Sequence, residues 1–343
     1  MKKAVVFILL LLLVGAVWVA ALALRPFRGY TDSVIVKIPA GAGARTAARI
    51  LSSRGVLRTS LPFIALYALG RPRRRTLKAG EYLFDHPLSP RQVYWKIVRG
   101  EVYYHLVVIP EGSDRFDMAR IFHDKLSFDP RKFLLTTDDP RLIRDIDPQA
   151  STLEGYLFPD TYRFPASTTP ASAVQTMLSR FRQVMASRIG PQLNGRSLHD
   201  VLTLASLVEK ETPDPAERPQ VAGVFVRRLD RGMLLECDPT VVYAARLYAE
   251  SSHAQVPGPA PITADELNST SPYNTYRHSG MPPGPICSPG EASIEGALHP
   301  ASGDALYFVS NFHGGHVFAS TLAEHNRNVA RYRKQAAEAG RSN

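Results

Sequence analysis

From Ala4 to Leu24 the chain runs through 21 residues without a charge, preceded by Lys2 and Lys3 and followed by Arg25 and Arg28. As a helix this stretch is about 31 Å long, the thickness of a bilayer core, and it predicts a transmembrane anchor. Ala21-Leu22-Ala23 imitates the processing site of a secretory signal, which is the alternative, although such signals carry apolar runs of only about 7 to 15 residues. Lys2, Lys3 and the α-amine set against Arg25 and Arg28 narrowly favour an N-in orientation. In that orientation everything after about residue 25 is extracytoplasmic.

Beyond the anchor the period changes. Val34, Val36 and Ile38 alternate as in a strand, closed by Pro39-Ala40-Gly41 and followed by an amphipathic stretch to Leu51. The segment VVIPEGSDRFDMARIF at Val107 to Phe122 aligns with VKIPAGAGARTAARIL at Val36 to Leu51 at an offset of 71. This is either a local duplication or the recurrence of a common strand-turn-helix unit. Between the copies, Leu61 to Leu69 reads as a helix, Arg71 to Arg75 as a basic loop and Leu77 to Phe84 as a second strand. Short helical pieces fill Asp129 to Gln149, and Ser172 to Ile189 carries a long helical stripe of Val174, Met177, Leu178, Phe181, Val184 and Met185. The segment Val256 to Gly290 holds eight prolines, too many for helix interiors or central strands, and reads as ordered loop forming a groove wall. The expected class is α+β: an anchor with its cytoplasmic tip over 1–30, a small α/β module over 31–104 and a larger mixed domain over 105–343.

With 343 residues, 45% hydrophobic, the chain is long enough for about two domains and a sizeable core. The formal charge of +10 suits nucleic acid, an anionic membrane or an acidic polymer. An exported body removes nucleic acid as a partner, so the membrane and polymer readings survive. Cys237 and Cys287 would both lie in the exported part, as either a disulfide or two buried thiols.

No GxSxG elbow, HExxH helix or CxxC pair occurs, which removes the serine hydrolase and zincin readings. His313-Gly-Gly-His316 reads as a turn between strands Leu306 to Ser310 and His316 to Phe318, without acidic neighbours in sequence, and not as a metal site. The carboxylates of LTLASLVEKETPDPAE, Leu202 to Glu217, say more. Helical periodicity begins at Leu198, and Pro213 disfavours helix at Thr212, so Glu211 falls in the last turn. Glu209 and Glu211 then point about 200° apart and cannot share a proton. Glu211 stacks over Leu204, Leu207 and Val208, whereas Glu209 sits over Ala205 and Ser206. Desolvation and the negative end of the helix dipole both raise the pKa of Glu211, as a general acid for glycosidic oxygen requires. The bland alternative is an acid paired to a neighbouring Lys or Arg.

Five ordered segments, EGYLFPDTYRFP at Glu154 to Pro165, LASLVEKET at Leu204 to Thr212, DPTVVYA at Asp238 to Ala244, SPYNTYRHSGMPPGPI at Ser271 to Ile286 and HPASGDALYFV at His299 to Val309, together resemble the endolytic murein transglycosylases of the MltG (YceG-like) family. The likeness covers nearly the whole chain, with a LysM-like module at 31–104. It implies a single-pass bacterial inner-membrane lytic transglycosylase, a lyase with its catalytic domain in the periplasm. Such an enzyme cuts MurNAc-β-1,4-GlcNAc bonds within nascent peptidoglycan strands, limiting their length. No metal or organic cofactor is implied, and peptidoglycan synthases are candidate partners. The family's catalytic glutamate falls on Glu211; Glu154, Asp238, Thr240, Tyr243, Tyr273, Asn274, Thr275 and Tyr276 match positions expected to line the cleft. Glu236 stands where the family commonly has glutamine. One carboxyl group suffices in this chemistry: Glu211 protonates the leaving oxygen, then draws the proton from the MurNAc C6 hydroxyl as it closes on C1. The competing class is a membrane-anchored peptidoglycan-binding scaffold without activity. A tethered nucleic-acid binder would need the opposite orientation.

Overall fold

The computed structural model describes residues 2–70, 76–252, 254, 256–258, 261–311 and 314–339. The basic run at 71–75 and His313 lie outside the described residues. Helix α1, Lys2–Leu24, is the one described helix long and apolar enough to cross a membrane, with a mean hydropathy of 3.1 over its best window. The fold is mixed helix and strand, and its contacts separate into two units: residues 1–106 with 163–168, and residues 107–162 with 169–343.

In the first unit, strands β1 (Val34–Ile38) and β2 (Gly80–Phe84) pair antiparallel, Val36 opposite Tyr82. Helices α2 (Ala44–Ser53), α3 (Leu61–Gly70) and α4 (Pro90–Arg99) complete it around a core that includes Val36, Ile38, Leu51, Phe63, Tyr82, Phe84 and Ile97. The sequence pattern missed α4. Its start is nevertheless a capping box, the Ser89 hydroxyl accepting from the Gln92 N–H and Gln92 reaching back to the Ser89 N–H, with Pro90 inside the first turn.

Strand β3 (Tyr104–Val108), which pairs with β4 (Thr161–Pro165), leads into helix α5 (Arg115–Leu126). The offset of 71 has a backbone counterpart. Gly41 and Gly112 both take φ +73°, and Gly43 and Asp114 are the extended residues that open α2 and α5. The two Ile-Pro-x-Gly turns therefore share one geometry, with glycine at the left-handed position where a Cβ would cost about 1 kcal/mol or more.

The second unit continues through α6 (Pro130–Thr137) and α7 (Pro170–Val184). The helical stripe expected to reach Ile189 stops being an α-helix at Val184, and Met185–Ile189 winds in the wider π geometry. Pro191 explains the change, since it has no N–H to continue the ladder. Helix α8, Leu198–Glu211, starts at Ser197, whose hydroxyl accepts from the Asp200 N–H. It ends where Thr212, at φ −134° and ψ 129°, leaves the helix ahead of Pro213. Every residue from Leu198 to Val208 except Asp200 is buried. Around it come α9 (Arg218–Asp230), α10 (Asp238–Ser251), a one-turn helix α11 (Ala264–Leu267) and α12 (Glu291–Leu298). The hairpin of β5 (Tyr307–Ser310) and β6 (His316–Ala319) follows, and α13 (Leu322–Ala339) closes the described chain. The described part of the proline-rich segment is loop apart from α11, which Thr263 and Glu266 nucleate as a capping box.

That loop is anchored at both a glycine and a helix. The Ile286 N–H donates to the Ser206 hydroxyl of α8 at 3.0 Å, and Gly155, at φ +86°, brings its backbone so close to Pro285 that an added Cβ would lie 2.5 Å from the ring. Gly155→Ala therefore combines a left-handed residue with overpacking. The expected cost is about 2 kcal/mol or more, a fall in Tm of about 4 °C or more by thermal denaturation.

Candidate active site

Burial of α8 delivers its two terminal acids to different surroundings. The Glu209 carboxylate is 6% exposed and pairs with the equally buried Arg218 guanidinium at 3.2 Å, its other oxygen accepting the Gly290 N–H at 2.8 Å. It ties α8 to the start of α9 and of α12. Glu211, turned the other way, enters a cavity of about 330 Å³. No described basic side chain is in ion-pair contact with it; its bonded neighbour is the Cys237 thiol. Burial raises its pKa above the usual carboxyl range, and the nearby Asp238 charge adds to the rise, while the Cys237 thiol bond and His316 offset part of it.

The rest of the cavity comes from five segments. Helix α10 opens with Asp238 in its first turn, and the Tyr276 hydroxyl donates to that carboxylate at 2.6 Å. Burial and the Asp238 bond together push the Tyr276 phenol up. Glu236 sits at φ +52°, an uncommon conformation for a residue with a Cβ, and its carboxylate meets Arg228 at 3.0 Å. Arg228, on α9, is nearly buried; it also donates to the carbonyls of Leu234, Leu235 and Leu306 and lies over the Tyr307 ring. Tyr307 and Phe308 of β5 and His325 of α13 complete the lining. His325 stacks on Tyr307, and burial together with the Arg228 charge lowers its pKa, so it is neutral above the ordinary imidazole range.

Of the residues expected in the cleft, Glu211, Asp238 and Tyr276 line this cavity. Thr240, Asn274 and Thr275 are buried beneath it. The Thr275 hydroxyl accepts the Cys237 N–H at 3.0 Å and shares a bond with Thr240, and the Asn274 amide donates to the carbonyls of Leu267 and Ser269. These three hold the loop carrying Tyr276 against the start of α10. Glu154, Tyr243 and Tyr273 are not among the lining residues. Glu154 is buried between α5 and α10, accepting from the Arg115 N–H and the Tyr243 hydroxyl, each at 3.1 Å. Burial first and the Asp114 charge second raise its pKa to about 8. Arg115 is bonded in turn to Asp138 and Glu250, and Arg246 to Asp114. Tyr273 packs edge-on against Tyr243 and lines a separate groove of about 1080 Å³ along α10. Cys237 and Cys287 are both free, buried thiols, the latter donating to the Ser206 carbonyl.

Sequence reasoning did not nominate Arg228, Tyr307 or His325. Tyr307 stands in the quoted HPASGDALYFV segment, while Arg228 and His325 lie on helices with no motif to flag them. His316, which has no acidic neighbour in sequence, meets Glu217 in space, its ring nitrogen and its N–H both 2.7 Å from that carboxylate. No cluster of three or more metal-ligating side chains occurs among the described residues.

The comparisons with known proteins agree with one another. The model of the YceG-like family matches residues 36–331. An endolytic murein transglycosylase of Bacillus subtilis strain 168 is 30% identical over 317 residues, covering 88% of this chain and 85% of that protein. An endolytic murein transglycosylase of Streptococcus pneumoniae serotype 2 is 30% identical over 87% of this chain, which spans 58% of that longer relative. Among solved structures, a yceG-like protein of Listeria monocytogenes superposes with a TM-score of 0.58 at 30% identity, covering 87% of this chain and 99% of the other.

The two acids of α8 should behave oppositely on substitution. Glu209→Ala leaves the buried Arg218 with only the more distant Glu111, at 3.8 Å, and is expected to cost about 3 kcal/mol. Glu211→Gln removes a carboxyl whose ionised form burial disfavours. Because the folded pKa is raised, stability is lost as pH rises from the ordinary carboxyl range through the raised value. Thermal melts should therefore show Glu211→Gln more stable than the parent at pH 8 and the two converging in acid; a parent more stable at pH 8 would contradict the assignment.

Proposed function

The chain belongs to the YceG-like family, and from that premise we propose that it is an endolytic peptidoglycan lytic transglycosylase with Glu211 as its acid and base. The observation that carries the reading is Glu211 itself, a carboxyl at the end of a buried helix, opening into a cavity, with a raised pKa and no ion pair among the described residues. That state suits protonation of the oxygen leaving C1 of MurNAc. The resulting carboxylate then takes the proton of the C6 hydroxyl as its oxygen closes on C1, giving a 1,6-anhydroMurNAc end. Intramolecular attack supplies an effective concentration on the order of 10⁵ M or more in well-oriented systems, so no protein nucleophile is needed.

Asp238 and Tyr276 are the residues best placed to touch the sugar, with Thr240, Asn274 and Thr275 positioning them. We assign Glu154 and Tyr243 to the support of α10, and Tyr273 to the groove beside it. Glu236 and Asp238 are the two carboxylates in the cavity able in principle to activate water instead. Each is already engaged, Glu236 by Arg228 and Asp238 by Tyr276. In this reading α1 anchors the protein once in the bacterial inner membrane, N-terminus inside, with the chain after about residue 25 on the periplasmic side and the catalytic domain acting on nascent strands and limiting their elongation. The module over 31–104 is taken as LysM-like, which its helices packed on one antiparallel strand pair support. Peptidoglycan synthases are the partners such a role calls for. The scaffold alternative gains nothing from the structure, since a carboxyl kept in the disfavoured surroundings of Glu211 makes no ion pair among the described residues that would explain it structurally.

The test is digestion of purified glycan strands in oxygen-18 water with mass analysis of new ends. The expected products are internal fragments with unlabelled anhydro ends, and at least about 100-fold loss of rate in Glu211→Gln, as for removal of a general acid. In the parent, kcat/KM should fall as pH rises through the raised pKa of Glu211. Label in most new ends would make the protein a muramidase, and full activity in Glu211→Gln would remove Glu211 from the chemistry.

A further inference from the structure

Helix α3, LPFIALYALG, is uncharged throughout and apolar on all sides, the composition of a helix surrounded by core or by lipid. Core covers only part of it. Phe63 is buried in the module, and Ile64, Leu66 and Tyr67 pack against that core. The opposite side leaves Leu61 at 59% and Leu69 at 76% exposure, with Ala68 also open. This open side does not face away from the rest of the protein. Together with α1 it forms an apolar groove of about 880 Å³, walled by α1 residues from Leu11 to Leu24 and by Pro62, Ala65, Leu66 and Leu69 of α3.

The position of the groove along α1 decides what fills it. Leu11 to Leu24 spans about 20 Å, roughly two thirds of a bilayer core. If α1 crosses the membrane, the medium around these residues is hydrocarbon, and a helix packed beside them shares it. An apolar helix of about ten residues, too short to span, is the form a re-entrant or interfacial segment takes. Its backbone is internally bonded except at its ends. Arg91, at the first turn of α4, borders the groove with an exposed side chain, placed to reach lipid phosphates while its stem stays on apolar surface.

We propose that α3 is a second membrane-embedded element, its outer face lying beside the C-terminal half of α1 with lipid acyl chains filling the groove between them. The proposal rests on the reading of α1 as a membrane span. It makes the module after the anchor a lipid-seated body and not a bead on a free tether.

The experiment places an NBD fluorophore on single added cysteines in the full-length chain, reconstituted into vesicles of phosphatidylcholine and phosphatidylglycerol with or without a lipid carrying a nitroxide on its acyl chain. Val14→Cys reports on α1, Leu69→Cys on α3, and Lys37→Cys on the outer side of β1, across the core from the helices. All three positions are exposed, so the fold tolerates them, and the native thiols are buried; the unsubstituted chain serves as the labelling blank. The expected result is quenching of about twofold or more at positions 14 and 69 and none at 37, as contact with the hydrocarbon requires. Quenching at 14 without 69 overturns the proposal and leaves the anchor standing. Absence of quenching at 14 overturns the span and the proposal with it, and equal quenching at 37 shows nonspecific immersion, which also overturns it.

Discussion

A helix buried along almost its whole length cannot turn about its axis, and that constraint on α8 organises the second unit. Its polar side chains are consumed internally: Thr203 donates to the His199 carbonyl, Ser206 to the Thr203 carbonyl, and the His199 ring bridges Asp147 and the Pro283 carbonyl. Ser206 and His199 thereby bind the proline-rich loop directly to α8. With the helix fixed in rotation, the directions of Glu209 and Glu211 follow from 100° per residue. One is committed to Arg218 and the chain around it, and the other to the cavity.

The protein buries carboxyl groups in three ways, and the contrast separates structure from chemistry. Glu209 is neutralised by a cation. Glu154 shares a network with Arg115 and Tyr243, where one of its oxygens still has no hydrogen-bond partner among the described residues. Glu211 is bonded to a thiol and makes no ion pair among the described residues, so burial favours its protonated state. A buried acid that stays neutral contributes little to holding a fold, which is why its placement at a cavity is informative and that of the other two is not.

Much of this was legible in the sequence where the signal is local. The bounds of β1 and α8 follow from alternation, helical period and Pro213, and the angular separation of two acids on one helix needs no tertiary knowledge. The two Ile-Pro-x-Gly turns were visible as an offset and reappear as equal backbone angles. What was not legible depends on contacts between distant segments. Nothing near Glu154 in sequence announces that Arg115 and Tyr243 enclose it, so a motif position expected to line the cleft lies buried and outside the lining of the Glu211 cavity. Arg228 and His325 reach the cavity from helices whose sequence is ordinary, and the pairing of Glu217 with His316 joins residues 99 apart. Helix α4 was also legible but went unread: Val93, Tyr94 and Ile97 recur at helical spacing on its buried side, and its capping box was written in Ser89 and Gln92.

The carboxylates flanking Glu211 acquire a different meaning once their partners are known. Cleavage of a glycosidic bond builds positive charge on the sugar ring. Asp238 lies in the cavity as an acceptor for Tyr276, and its charge both disfavours ionisation of Glu211 and is of the sign that stabilises an oxocarbenium-like ring. Glu236 is differently disposed, because its charge is balanced by Arg228, whose remaining bonds tie the loop from Leu234 to Glu236 and the Leu306 backbone into one wall. Glu236 is thus bound to the wall, and its left-handed backbone is held by the Thr275 carbonyl accepting its N–H at 3.2 Å. On the proposed reading the three carboxyls of this cavity divide into a proton donor, a group beside the sugar ring and an acid turned to structural use, a division set by the partner each has found.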